Sequence, residues 1–333
     1  MPVWNKEKDT QKTGTFYFIL PHEYLFSMIT DVESWCDLGD QINLIAHREA
    51  WSIERGIQDL VDRIIACGLW GDSAPFTEHD SLYLLLFNIL SGPKSDRIWI
   101  TCFPKSLCCQ CGCKGKCTFT PIWEVLAWSF EALLLGQLPY KRHDNIHMRD
   151  SEDEVDRTWR KSLAGLKFDF RAAVLQKRGD WQWLKQALNL IQWKHGGGDV
   201  RMCWKCGCTA ALMREFSLSA PWRNTILTHN AFLEDMMRRG EGNMPLLRIP
   251  GFQVDYIVPD LMHCGCLGVV LTLLGNLLFE FFKENGGLVT NPRAGLSRLL
   301  NMINMAKAAI HGADTINNLS WGMIKRDHMG STF

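Results

Sequence analysis

The 333-residue chain has no excess of either charge, with 36 Lys and Arg set against 36 Asp and Glu. That balance excludes a global field drawing the protein to DNA, RNA or an anionic membrane, so any DNA contact has to come from local patches. The opening residues Met1 to Asp9 lack a basic segment followed by an apolar core and a small-residue cleavage site, which predicts an intracellular protein, not a secreted one. Long uninterrupted apolar runs are also missing. The most apolar stretch, Cys264 to Phe282, is broken by Asn276 and Glu280 and flanked by Asp260, His263 and Glu284. It suits a buried helix better than a membrane span, so no membrane partner is expected.

What is present points to a packed interior. An apolar fraction of 47% with 14 tryptophans can build a substantial core, and the length suggests roughly two domains. In a reducing compartment, 13 clustered cysteines read as thiols or metal ligands before they read as a disulfide framework.

Residues 1–21 read as a loose leader, and apolar residues from Leu25 to Ile64 recur at helical spacing, giving a leader and helical preface over 1–63. Ile64 to Asp72 is a short apolar run ending in Gly71-Asp72, as a buried strand meeting a turn would be. Two further strands are expected over Ser81 to Leu90 and Arg97 to Phe103, joined by the turn chemistry of Ser91-Gly92-Pro93-Lys94-Ser95. Pro121 to Leu135 reads as a helix with proline in its first turn and Gly136 at its end. The charged stretch from Tyr140 to Lys161 predicts a solvated loop or helix start. Phe168 to Gln176 reads as a fourth strand running on to Gly179-Asp180, and Trp181 to Ile191 as an amphipathic helix. The order strand, strand, strand, helix, strand is that of a ribonuclease-H-like mixed sheet. It places the core in 64–192 and leaves 193–333 as a cysteine-containing helical insertion.

Carboxylates at adjacent strand ends can share divalent cations, and Asp72 and Asp180 are the candidates. An aspartate after glycine is also an ordinary turn residue. Cys203-Trp204-Lys205-Cys206-Gly207-Cys208 supplies thiols two residues apart that can grip one zinc ion from a single turn. His195, Cys208, His229, Cys264 or Cys266 could complete that site, and a redox pair is the rival reading. Between the third strand and the helix stand Cys108, Cys109, Cys111, Cys113 and Cys117, with Lys114 and Lys116 expected to lower the thiol pKa values. Cys109, Cys111, Cys113 and Cys117 form a candidate set of four zinc ligands. Asp260 and His263, three residues apart on one helical face, could bind a metal or a substrate phosphate, or simply cap and orient a helix.

Gly71-Asp72-Ser73-Ala74-Pro75-Phe76-Thr77, the Cys-Gly-Cys-x-Gly-x-Cys loop with its Trp-Ser-Phe-Glu-Ala helix, Gly179-Asp180-Trp181, Cys203-Trp204-Lys205-Cys206-Gly207-Cys208-Thr209 and Asp260-x-x-His263-x-x-x-Leu267-Gly268-Val269 occur in one order. Over roughly residues 65–325 this order resembles DDE-transposase-derived reading frames related to the CACTA (En/Spm-like) superfamily. The resemblance implies a ribonuclease-H-like fold with an insertion and Mg²⁺- or Mn²⁺-dependent DNA strand cleavage and transfer. It implies that Asp72 and Asp180 are the first two metal-binding acids, and that Asp260 and His263 form the insertion signature. It also implies a nuclear location for a working transposase and leaves oligomerisation open. The third acid is expected beyond the insertion, where Glu280 and Glu284 continue one helix and Asp314 and Asp327 lie in weakly patterned sequence. The expected active site is therefore incomplete, and this chain alone is expected to be inactive. The alternative is a zinc-stabilised nucleic-acid or protein interaction module without catalysis.

Overall fold

The computed structural model describes residues 2–5, 10–28, 64–90, 97–113, 115–191, 201–209, 217–240, 244–249 and 251–259, with isolated positions between 211 and 305. The chain divides into two compact units, Met1–Pro259 and Asp260–Phe333, and every strand named below belongs to the first. Residues 29–63 of the expected helical preface lie outside the described residues.

The expected loose leader is instead an antiparallel hairpin, β1 (Pro2–Asn5) and β2 (Thr10–Thr13), with Pro2 opposite Thr13 and Asn5 opposite Thr10. Two anchors hold it. Val3 is buried, and the Pro2 carbonyl accepts a 2.8 Å hydrogen bond from the Thr118 hydroxyl. Helix α1 (Pro21–Met28) follows and buries Leu25.

Five strands form a mixed sheet: β3 (Ile64–Pro75), β4 (Ser81–Ile89), β5 (Ile98–Pro104), β6 (Arg171–Gly179) and β7 (Ile257–Pro259), in the order β5-β4-β3-β6-β7. Strand β4 is antiparallel to both of its neighbours, whereas β6 runs parallel to β3 and to β7. Ile64 to Leu69 is buried throughout because β3 is the central strand. Helices α2 (Lys116–Leu135) and α3 (Trp181–Leu188) are the connections entering and leaving β6. Helix α2 buries Phe119, Ile122, Trp123, Leu126, Phe130 and Leu133 at three- and four-residue spacing, each burial contributing about 1.5–3 kcal/mol. Trp123 reaches α3, donating its indole N–H to the Ala187 carbonyl at 2.8 Å.

Several boundaries differ from expectation for physical reasons. Helix α2 starts at Lys116, five residues before Pro121, with Gly115 in the left-handed conformation at its N-cap. Pro121 therefore lies inside the helix, where it cannot donate a hydrogen bond to the Cys117 carbonyl. Strand β3 runs three residues beyond Asp72, because 72–75 still pair with 81–84 of β4. Strand β6 begins at Arg171, while Phe168 and Phe170 stack on each other in the core ahead of it. Their apolar character marked burial, not strand. Helix α3 stops at Leu188 because Asn189 takes a left-handed conformation. The acidic run expected to be solvated has a buried member. Asp156 accepts from Ser151 Oγ at 2.6 Å and pairs with Arg160 at 2.8 Å and Arg142 at 3.4 Å. Its burial opposes ionisation, but those partners, Arg160 foremost, hold its carboxyl below the usual value.

The pairing of β3 with β6 slips by one residue between Cys67 and Gly68: Cys67 pairs with Val174, but Gly68 pairs with Gln176. Beyond this bulge, Lys177 pairs with Leu69, and both are fully buried. Among the described residues the Lys177 Nζ has no hydrogen-bond partner, and it lies 4.1 Å and 4.5 Å from the ring centroids of Trp183 and Trp123. Ring attraction for an ammonium amounts to about 0.5–2 kcal/mol. Removing an ion from water costs several kcal/mol. Burial therefore wins, and the Lys177 pKa falls well below its ordinary value.

An amine that is neutral when folded and protonated when unfolded draws the equilibrium toward the unfolded chain as pH falls below the unfolded value of 10.5. Stability gained from this residue should rise with pH by up to about 1.4 kcal/mol per unit in that window. Lys177→Met is expected to raise the melting temperature at pH 7 and to flatten its increase toward pH 10. A lower melting temperature for the variant at pH 7 would mean that the rings hold a charged ammonium.

Candidate metal centre and strand-end carboxylates

The loop after β5 folds four thiols into one cluster. Gly112 and Gly115 both have positive φ, 88° and 84°, conformations that side chains resist and that turn the loop back on itself. The ligand atoms of Cys109, Cys111, Cys113 and Cys117 all lie within 4.8 Å of one another. Cys111 Sγ and Cys117 Sγ are 3.8 Å apart. A tetrahedron with Zn–S bonds of about 2.3 Å has sulfur–sulfur edges of about 3.8 Å, so these four residues suit a tetrahedral ion such as zinc with little contraction.

The surroundings hold the ligands in place. The Cys109 backbone N–H donates to Thr118 Oγ1 at 2.9 Å, and Gln11 of β2 donates to Cys109 Sγ at 3.4 Å. Cys117 stands in the first turn of α2, which positions its thiol beside those of the loop. Burial opposes ionisation of Cys113, but a backbone hydrogen bond from Cys117 and the neighbouring thiols bring its pKa down to about 7. Cys117 is pushed up to about 12 by burial and by the Cys113 and Cys111 thiols. Lys116, one of the two lysines expected to lower these pKa values, is not among the causes. Hydrogen bonding to Cys113 does that work, and Lys114 lies outside the described residues.

Cys203, Cys206 and Cys208 lie in a tight turn closed by the Met202 N–H to Cys208 carbonyl bond at 2.8 Å. The Lys205 N–H donates to Cys203 Sγ at 3.4 Å. Arg201 braces the turn from Nε to the Cys203 and Cys206 carbonyls, both at 2.8 Å, and pairs with Asp235 of α4 (His229–Arg238). Burial first, then the Cys203 thiol, raise Cys206 to about 11. Among the described residues, the Cys109 group is the one set of three or more ligand atoms gathered this closely. His229, the first residue of α4, is outside that group, and His195, Cys264 and Cys266 lie outside the described residues. So do Asp260 and His263.

Asp72 of β3 and Asp180, which follows the end of the parallel neighbour β6, are both half-buried. The last register pair is Trp70 with Arg178. One step on, a Cβ at Gly179 would stand 2.7 Å from the Gly71 carbonyl oxygen. The two aspartates follow these glycines directly, at matched levels of the sheet. Asp72 Oδ1 accepts from the Ser73 N–H at 2.7 Å. Asp180 is the N-cap of α3, accepting from the Trp183 N–H at 2.5 Å. Asp180 thus has a structural role, since one carboxylate oxygen caps a helix.

No protein-family model and no curated protein matches the chain. Among the described residues, no helix is long and apolar enough to cross a membrane.

Gln11 and Thr118 were invisible as supports of the thiol loop. Gln11 sits 98 positions from Cys109, and nothing in its neighbourhood marks it. Cys113→Ser is expected to cost one equivalent of zinc per chain, measured by elemental analysis with thiol counting, and to lower the melting temperature by several degrees. Cys102→Ser, at an exposed thiol of β5, should change neither. Equal zinc content in the two variants would remove the loop from the list of metal sites.

Proposed function

We propose that this chain carries a ribonuclease-H-like, nucleic-acid-processing domain of DDE-transposase lineage, in which Asp72 and Asp180 would hold a divalent cation such as Mg²⁺ or Mn²⁺. The observation that carries this reading is the strand order β5-β4-β3-β6-β7, with only β4 antiparallel, together with aspartates at matched levels of β3 and β6. A pair of carboxylates in that position suits the cation chemistry of phosphoryl transfer, in which ions stabilise the attacking and leaving oxygens. Asp180 has one oxygen committed to the helix cap, which leaves the other for a ligand.

Among the described residues, no third ligating side chain gathers with the two aspartates. Strand transfer by this chain alone is therefore expected to be negligible. The four-cysteine cluster favours a second reading, a zinc-stabilised interaction module without catalysis, for which Asp72 would be dispensable.

Mn²⁺ titration followed by electron paramagnetic resonance separates the two. One site is expected in the native chain, lost in Asp72→Ala and weakened at least tenfold in Asp180→Asn, which keeps the cap but removes the charge. No Mn²⁺ binding in the native chain would leave the interaction module standing. In a supercoiled-plasmid assay little or no nicking is expected, and nicking abolished by Asp72→Ala would show that the carboxylate pair suffices for cleavage.

A further inference from the structure

Register places one row of side chains across the sheet, on the face opposite α2 and α3. Trp99 pairs with Leu86, Leu86 with Trp70, Trp70 with Arg178, and Arg178 with Val258. Partners in register share a face. Gly71, one residue from Trp70, lies against Trp183 of α3, so Trp70 faces the other way. Leu86, within the row, is buried, but both ends are open. Trp99 is 49% exposed and Val258 39%.

Two cations stand on this row, and both are oriented. The Arg97 guanidinium stacks on the Trp70 ring at 3.6 Å, and Arg178 donates from Nε to Gln176 Oε1 at 2.5 Å. Among the described residues neither meets a carboxylate. Burial, and after it the Arg97 charge, lower the Arg178 pKa from its ordinary value. The Arg97 guanidinium is thus close enough to Arg178 for the two charges to oppose each other. Asp72 follows Trp70 by two residues on the same strand and face, about 7 Å along β3.

We propose that this face is a docking platform for single-stranded nucleic acid, with Trp99 stacking on a base and Arg97 and Arg178 receiving backbone phosphates beside Asp72. The inference deepens the nucleic-acid reading above and rests on it. Charge complementarity selects the occupant. Two oriented guanidiniums, which meet no carboxylate among the described residues, suit successive phosphates, and Arg is the side chain whose planar fork matches that geometry. An open indole face beside them suits an unpaired base, which a duplex keeps inside its own stack. An acidic peptide would satisfy the arginines but leave Trp99 unused.

The test is fluorescence anisotropy of the full chain with labelled dT20, U20, a 20-base-pair duplex and poly-glutamate, with tryptophan quenching as a second readout. Both single strands are expected to bind and quench, and a preference between them identifies DNA or RNA as the source of the strand. Trp99→Ala should weaken binding roughly 5- to 150-fold, and Trp99→Phe should recover much of the loss. The Arg97→Ala/Arg178→Ala variant should reduce the slope of log affinity against log salt by about 1.4, the value for two phosphate contacts on a single strand. Unchanged melting temperatures keep these surface variants interpretable. The platform is overturned if none of the probes binds, if the duplex or poly-glutamate binds more tightly than dT20 and U20, if the variants bind like the native chain, or if they change only self-association. Asp72→Asn keeps the two readings apart. Strand binding that persists without any Mn²⁺ site retains the platform and removes the nuclease reading, whereas a Mn²⁺ site with strand binding indifferent to Trp99 does the reverse.

Discussion

Trp183 lying against two glycines is the contact on which the described fold turns. A Cβ at Gly71 would sit 1.8 Å from the indole, and one at Gly179 would sit 3.0 Å from the indole and 2.7 Å from the Gly71 carbonyl oxygen. Neither position can carry a side chain without moving the helix or parting the strands. The indole therefore fixes the height of α3 over the sheet and the closeness of β3 to β6. Asp72 and Asp180 follow those glycines, so the same contact sets their levels. Glycine before each aspartate is a packing requirement as much as a turn signal.

The thiol loop is coupled to this contact through one helix. Cys117 opens α2, and Phe119 and Trp123 stack along it with centroids 5.9 Å apart. Trp123 then meets Trp183 edge-on at 6.0 Å. A cluster that orders the start of α2 thereby steadies an aromatic ridge ending over the strand-end glycines. The β1–β2 hairpin joins at the other side, through Gln11 to Cys109 and Pro2 to Thr118. Four thiols in a short loop with little core of its own thus connect three otherwise separate parts of the described unit.

Much of the sheet was legible in the sequence. Strong apolar runs bounded by glycine, proline and serine marked β3, β4 and β5, and the Gly136 stop of α2 was readable because a left-handed C-cap demands such a residue. The four thiols were legible as a set because they are local. What failed were features decided at long range. The hairpin at the N-terminus is polar and short, and it becomes visible only through the burial of Val3 and through the Pro2 carbonyl, which meets a residue more than a hundred positions away. The start of β6 was misplaced because Phe168 and Phe170 are buried without being paired in the sheet. No local pattern distinguishes Asp156, buried among arginines, from its exposed acidic neighbours. The row from Trp99 to Val258 was equally hidden, since it is assembled from five strands by register alone.

The bulge between Cys67 and Gly68 decides more than local twist. With unbroken register Lys177 would stand opposite Trp70 on the open face, Arg178 would turn toward the tryptophans of α2 and α3, and Asp180 would fall one residue out of step with Asp72. The extra residue, Leu175, inverts the parity of everything after it in β6. A lysine buried in the core between two indoles is thus the cost of bringing two aspartates level and one arginine to the open face. The least stable-looking side chain in the sheet records a choice of phase, made five residues before Asp180.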